Sequence, residues 1–396
     1  MNRRQFVRYV ASSSLLALAG APDLGFAEPV GVNCRLASTA PFEGGRLVKN
    51  ISFLGLETLP TNRLMGEGPD ARLYSDLSVI SEQDPITHTS HFYVVRTIPA
   101  DLPDLHRPWK IKVDGLVQTP LTIAEADLIK RKQPQGLHLL ECSGNARPMG
   151  FRLLSTARWE GVPLFDVLAP AGRLPKATQV RISGLETDAA GVPLPSTIPG
   201  ASWTFKLEDL QASGAFLATH MNGVPLPVEH GKPVRLMAPG WLGCCNIKWV
   251  NEITFVDDTA EPSAHMISYA PLTLQRGTPK FTKEYEPARM DTAAMPIRVE
   301  EWQVGGRPHY RVVGLIWGGS KPARQLVIRF GHRGGYRPVD CYRAPKDTTS
   351  WAFWYHEFVP PRAGVYHVQL RVADADLECR RLNADHYGLD FYINQV

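Results

Sequence analysis

Proline and glycine interrupt this chain too often for long helices. Its 396 residues include 33 of each, scattered from end to end. Proline removes a backbone donor and clashes inside a helix, and glycine weakens any regular element it enters. That punctuation predicts short strands joined by turns. A chain of this length also exceeds what one core usually serves, so two domains are expected. Composition is that of an ordinary globular protein, 44% apolar and 21% charged. No repeat recurs at a fixed period. A net charge of +4 without a Lys/Arg run gives no nucleic-acid footprint.

The N-terminus reads as an address. Arg3-Arg4-Gln5-Phe6-Val7 precedes an apolar, small-residue run over 11–19, and Gly25-Phe26-Ala27 offers a small-x-Ala site. This order predicts a twin-arginine signal peptide over 1–27 and a periplasmic protein. Removing it lowers the net charge from +4 to +2. The apolar run is too short to span a bilayer, so no membrane anchor is expected. Six cysteines (Cys34, Cys142, Cys244, Cys245, Cys341, Cys379) are irregularly spaced in a chain with core enough of its own. No disulfide framework is therefore expected. The adjacent Cys244 and Cys245 are read as free thiols, and no CxxC or HxxxH zinc spacing occurs.

The chemistry concentrates at His138-Leu139-Leu140-Glu141-Cys142-Ser143-Gly144-Asn145-Ala146-Arg147. An apolar run ends in a cysteine followed by residues that tolerate unusual backbone angles, as a strand feeding a tight turn would. The turn puts one thiol at the rim of a strand, near backbone N–H groups and Arg147. A thiol in that setting serves as thiolate nucleophile or soft metal ligand. The structural alternative is a buried cysteine acting as a small hydrophobe.

The Glu141-Cys142-Ser143-Gly144-Asn145 segment resembles the one by which the sulfite oxidase family of molybdenum enzymes supplies its single protein ligand to the metal. Three further blocks follow in that family's order: Asn222-Gly223-Val224-Pro225-Leu226-Pro227, His230-Gly231-Lys232-Pro233-Val234-Arg235, and Pro239-Gly240-Trp241-Leu242-Gly243-Cys244-Cys245-Asn246-Ile247-Lys248-Trp249. The resemblance implies an α+β, sulfite oxidase-like molybdopterin-binding domain followed by an immunoglobulin-like β-sandwich. It divides the chain into an extended arm over 28–85, a catalytic domain over 86–270, a linker over 271–295 and a dimerisation domain over 296–396.

The same resemblance implies a molybdenum–molybdopterin cofactor with Cys142 as metal ligand. Arg96, His230, Arg235, Gly243, Asn246 and Lys248 would bind the pterin, whose pyrophosphate calls for cations and close backbone N–H groups. Arg96, Arg147, Tyr269 and Arg380 or Arg381 would serve the substrate. Two positions depart from the family pattern: Ile98 stands where a histidine is usual, and Cys245 where an arginine is. Trp159 matches a tryptophan near the substrate pocket and reads equally well as a core aromatic.

Local patterns agree with this division. β-branched and aromatic residues predict a strand over 91–96 and alternation one over 109–117, another strand is read over 180–188, and Thr122-Ile123-Ala124-Glu125 reads as the capped start of a helix over 122–132. A short helix is expected from 165 to 168. Strands and helices mix without a βαβ rhythm, which is the α+β class. From 296 the pattern becomes short alternating strands, at 310–317, 325–330, 351–358 and 365–372, as a sandwich requires.

The function implied is oxidation of sulfite or a related small sulfur oxyanion. Clustered guanidiniums suit such a substrate through forked hydrogen bonds. No haem motif is present, so a separate c-type cytochrome is the implied electron acceptor, and a homodimer the implied assembly. An S-oxide reductase on the same scaffold is the alternative, and a cofactor-free periplasmic binding protein is a second.

Overall fold

The first surprise of the fold is where the arm goes. In the computed structural model, Arg46–Ile51 pairs antiparallel with Ala293–Val304, so the arm supplies an edge strand to the C-terminal sheet. The structure describes residues 34, 40–56, 60–66, 71–95, 105, 107–145, 150–185, 201–273, 275–331, 333–345, 347–377, 379 and 388–394. Residues 34–396 form one compact unit. The expected signal peptide, Arg96, Ile98, Arg147, Arg380 and Arg381 lie outside the described residues.

Two five-stranded sheets carry the residues of the cysteine region. One is antiparallel throughout and runs Val224–Pro225, Phe216–Met221, Leu154–Pro163, Gln133–Glu141, with Arg235–Met237 also paired to Phe216–Met221. The other runs Leu121–Ala124, Lys110–Gly115, Val250–Val256, Gln179–Gly184, Ser202–Lys206, and its second and third strands are parallel. Lys110–Gly115 shows why these residues form strands: Ile111 and Val113 are buried while Lys110 and Lys112 face water.

Arg72–Leu73 and Val94–Val95 pair as a small two-stranded sheet, and the other strands build the sandwich. One sheet is Arg46–Ile51, Ala293–Val304, Arg307–Trp317, Ala352–Phe358, Cys341–Tyr342, and the other Arg337–Pro338, Leu326–Phe330, Gly364–Val372, Gly388–Ile393. The four expected sandwich strands all form. The helices among the described residues are short, none longer than the seven residues of Glu125–Arg131, and none of them is long and apolar enough to cross a membrane.

Three expectations need correction. The helix expected from Thr122 starts at Glu125, without a side-chain cap, because Thr122 and Ile123 pair with Lys112 and Ile111. β-branched residues gain more from that cross-strand pairing than from a helical turn. The expected strand over 91–96 is reduced to Val94–Val95, with a single turn of 3-10 helix at Thr89–His91 before it. Finally, Cys34 and Cys341 form a disulfide. Their separation of 307 residues hides a proximity that the arm strand creates. Cys244 and Cys245 are free, their sulfurs 3.9 Å apart.

The arm is tied down by more than its strand. The Arg298 guanidinium donates to the carbonyls of Ser78 and Ile80 at 3.2 and 2.8 Å and to Glu300 at 2.8 Å. Phe53, Leu77 and Ile80 enter the main core.

Candidate active site

The cysteine turn is held by its own neighbours. Gln133–Glu141 ends, and the Cys142 N–H donates to the Leu153 carbonyl at 3.0 Å. The Asn145 N–H then closes the turn on the Cys142 carbonyl at 2.9 Å. Asn145 Oδ1 accepts from the Leu153 N–H at 3.1 Å, and Asn145 Nδ2 donates to Glu141 Oε1 at 3.1 Å. An asparagine suits this place because its amide offers both donor and acceptor to a bend in the backbone. The other carboxyl oxygen of the buried Glu141 accepts from Trp317 Nε1, on the sandwich, at 3.0 Å.

The thiol itself is 7% exposed. Burial pushes it up to about 11, against the opposing pull of the Gly144 N–H, which donates to Sγ at 3.4 Å. Sequence reasoning expected a thiolate from polar neighbours. In the folded chain desolvation outweighs them, and a bound metal ion would favour the thiolate.

Cys142 lines a cleft of about 60 Å³, together with Arg235, Gly243 and Lys248. Much of its lining comes from residues between Glu229 and Lys248. Gly231, at φ +99°, brings the chain against Lys248, and a Cβ there would meet Lys248 Cβ at 2.9 Å. Gly243 lies closer still to the turn: a Cβ there would stand 2.6 Å from Tyr93 Oη, 3.2 Å from the Glu141 carbonyl and 3.5 Å from Cys142 Cα. Trp249 is fully buried at φ +50°, an outlier for a bulky side chain. Such strain persists where the surrounding structure over-determines it, commonly at functional sites.

The predicted cofactor residues divide by what they touch. Arg235 and Lys248 line the cleft as expected. The Arg235 guanidinium donates to the carbonyls of His230 and Asn246, both at 3.1 Å, and Lys248 Nζ reaches the Val95 and Glu229 carbonyls at 3.4 and 3.5 Å. His230 also lines the cleft but is not the cation expected. Burial, then Arg235 and Lys248, lower its pKa to about 3, so it is neutral. Asn246 also lines the cleft, with its side chain engaged within the protein. Nδ2 donates to the Trp241 and Leu242 carbonyls at 3.1 and 3.0 Å, and Oδ1 accepts from the Ala238 N–H at 2.7 Å. Asn246 therefore shapes the loop that carries Gly243. Cys245, where an arginine was noted as usual, is fully buried in the main core, while Cys244 lines the cleft.

Tyr269 lines the cleft from the C-terminal end of the helix Ala264–Tyr269. One turn back, His265 packs against it with ring centroids 4.6 Å apart. His265 Nε2 lies 2.8 Å from the Cys244 carbonyl, which can only accept, so the proton is on Nε2. Sequence reasoning missed His265, although its i,i+4 spacing from Tyr269 on one helix was visible. It also missed Tyr93, which had no signal beyond its place before Arg96. Trp159 is a core residue, with Nε1 donating to the His138 carbonyl at 3.2 Å.

These residues fit a metal–pterin group. A soft donor, two cations and a glycine cradle share one cleft, and Cys142 would be the single protein ligand. Among the described residues no cluster of three His, Cys, Asp or Glu could hold a metal.

Comparison with known proteins agrees. A family model described as the oxidoreductase molybdopterin binding domain matches residues 97–264. An NADPH-type nitrate reductase of Fusarium oxysporum is 33% identical over 328 residues, 74% of this chain and 35% of that protein. The sulfite oxidase of Gallus gallus is 32% identical over 303 residues, 67% of this chain and 61% of that protein. The chain thus spans less than two thirds of these relatives. The sulfane dehydrogenase SoxCD of Paracoccus pantotrophus shares the fold, with a TM-score of 0.59 over 89% of this chain and 84% of its own, at 16% identity.

Proposed function

Because the chain belongs to the sulfite oxidase family of molybdenum oxidoreductases, we propose that it oxidises sulfite, or a related small sulfur oxyanion, in the periplasm. Electrons would pass to a separate c-type cytochrome, and the sandwich would pair two copies as a homodimer. The observation that carries this reading is the Cys142 thiol at the mouth of a cleft shared with Arg235 and Lys248.

When bound, the molybdenum–molybdopterin group supplies two-electron oxygen-atom transfer. The chain's own residues do the rest. Cys142 would give up its proton to hold the metal, as a thiolate is the softer donor. Arg235 and Lys248 would meet the pyrophosphate, and Gly243 lets the backbone approach without a side chain between. Tyr269 would hold or release a proton at its phenol oxygen. Arg96, Arg147 and Arg380 or Arg381 would draw the anion in. The Cys34–Cys341 disulfide supports an oxidising compartment, and the Arg3-Arg4 pair supports the twin-arginine route.

The test begins with metal analysis of protein purified from the periplasm. Molybdenum near one per chain is expected, with sulfite reducing cytochrome c in its presence. Nitrate and an S-oxide belong in the same assay, because the similarity to a nitrate reductase favours reduction as the second reading. Molybdenum-loaded protein that turns over either of these and not sulfite replaces our reading with a reductase. Active-site protein without molybdenum would instead indicate a binding protein. Replacing Arg3 and Arg4 by Lys should strand the protein in the cytoplasm.

A further inference from the structure

We infer that Tyr93 is the hydroxyl donor that reads an oxyanion bound beside Cys142, a role that rests on the function proposed above. Tyr93 is 8% exposed, and its ring stacks on Phe92 with centroids 5.6 Å apart. Its backbone N–H donates to Ser155 Oγ at 3.0 Å, so the side chain is anchored at its base. Its tip is not. Among the described residues no group makes a hydrogen bond to Tyr93 Oη, although the side chain lines the cleft. A hydroxyl that faces a cleft and has no hydrogen bond to the described protein groups is placed to donate to whatever occupies that cleft.

The position of that hydroxyl selects the part of the site it serves. Tyr93 Oη and Cys142 Cα both lie within 3.5 Å of the point where a Gly243 Cβ would stand. The donor is thus next to the residue that would hold the metal, where substrate must arrive. A tyrosine hydroxyl carries one O–H donor and is protonated near neutral pH. A donor that shares a cleft with Arg235 and Lys248 matches a ligand rich in acceptors and negative charge, such as sulfite or sulfate. The bland reading is a core aromatic, since Tyr93 also packs with Leu140 and Met237. A phenylalanine would serve that purpose as well, which gives the test.

Tyr93→Phe removes the oxygen alone. In the molybdenum-loaded protein it should leave metal content and melting temperature unchanged. Affinity for sulfate, read by thermal shift or tryptophan fluorescence, should fall about tenfold to a hundredfold, the effect of one hydrogen bond to a charged group. KM for sulfite should rise by a similar factor with a smaller change in kcat, and a neutral S-oxide should not respond. Unchanged sulfate affinity and KM overturn the assignment. So does loss of fold or of molybdenum, because removing an unpartnered hydroxyl should cost neither. A wild type that oxidises no sulfite but binds sulfate in a Tyr93-dependent way sinks the proposed function and keeps this inference.

Discussion

Trp317 Nε1 donates a 3.0 Å hydrogen bond to Glu141 Oε2, so the last residue of a sandwich strand holds the residue immediately before Cys142. Both are buried. The sandwich thereby helps set the position of the thiol. Trp317→Phe keeps an aromatic ring and deletes the donor, which should cost about 1–3 kcal/mol. Urea unfolding measures that loss. Molybdenum content should fall in parallel, and a variant as stable and as metal-loaded as wild type would refute the link.

Cys142→Ser tests the ligand directly. A hydroxyl is a poor soft-metal donor near neutral pH, so turnover should vanish. The melting temperature of the cofactor-free form should shift by only a few degrees at most, on the order of 1 kcal/mol for a small change at one buried site. Full activity in this variant would rule out the assignment.

Gly243→Ala forces a Cβ to within 2.6 Å of Tyr93 Oη and 3.2 Å of the Glu141 carbonyl. Overpacking of this kind costs about 1–3 kcal/mol. Adding Tyr93→Phe removes the nearer atom, so the double variant should recover part of the melting temperature that Gly243→Ala loses. Strict additivity of the two changes would show that the hydroxyl is not what the Cβ meets.

His230 predicts acid sensitivity. Its folded pKa, about 3, lies below the unfolded value near 6.5. The unfolded chain therefore binds more protons between those values. Stability is undiminished above pH 6.5 and should fall by about 1.4 kcal/mol per unit as pH drops from 6.5 towards 3. Chemical unfolding at several pH values, compared between wild type and His230→Asn, reads this out. The variant's curve should be flatter, and parallel curves would show that His230 does not titrate as described.

The Cys34–Cys341 bond should contribute about 2–4 kcal/mol by restricting the unfolded chain. Cys341→Ser should lower the melting temperature, and a reductant should lower that of the wild type to match. No change with reductant would mean the bond is not formed.

Much of this was legible because its signals are local. The strand-to-turn reading at Cys142 and the sandwich strands at 325–330, 351–358 and 365–372 follow from short-range alternation and turn residues, and the structure bears them out. What failed depends on distant neighbours. Arg46–Ile51 is almost wholly exposed and shows no alternation, so only its pairing with Ala293–Val304 makes it a strand. His230 reads as a cation until burial neutralises it. Tyr93 looks like one apolar strand residue among several, because nothing in its neighbourhood along the chain reveals that its side chain lines the cleft.

The edge strand Arg46–Ile51 has a consequence for the order in which the protein is made. Its partner, Ala293–Val304, lies some 250 residues downstream, and long-range pairing of this kind forms late. During synthesis this segment must wait, unpaired, until most of the chain has been made. Its docking can mark the moment when the chain has been made through the strand Ala293–Val304.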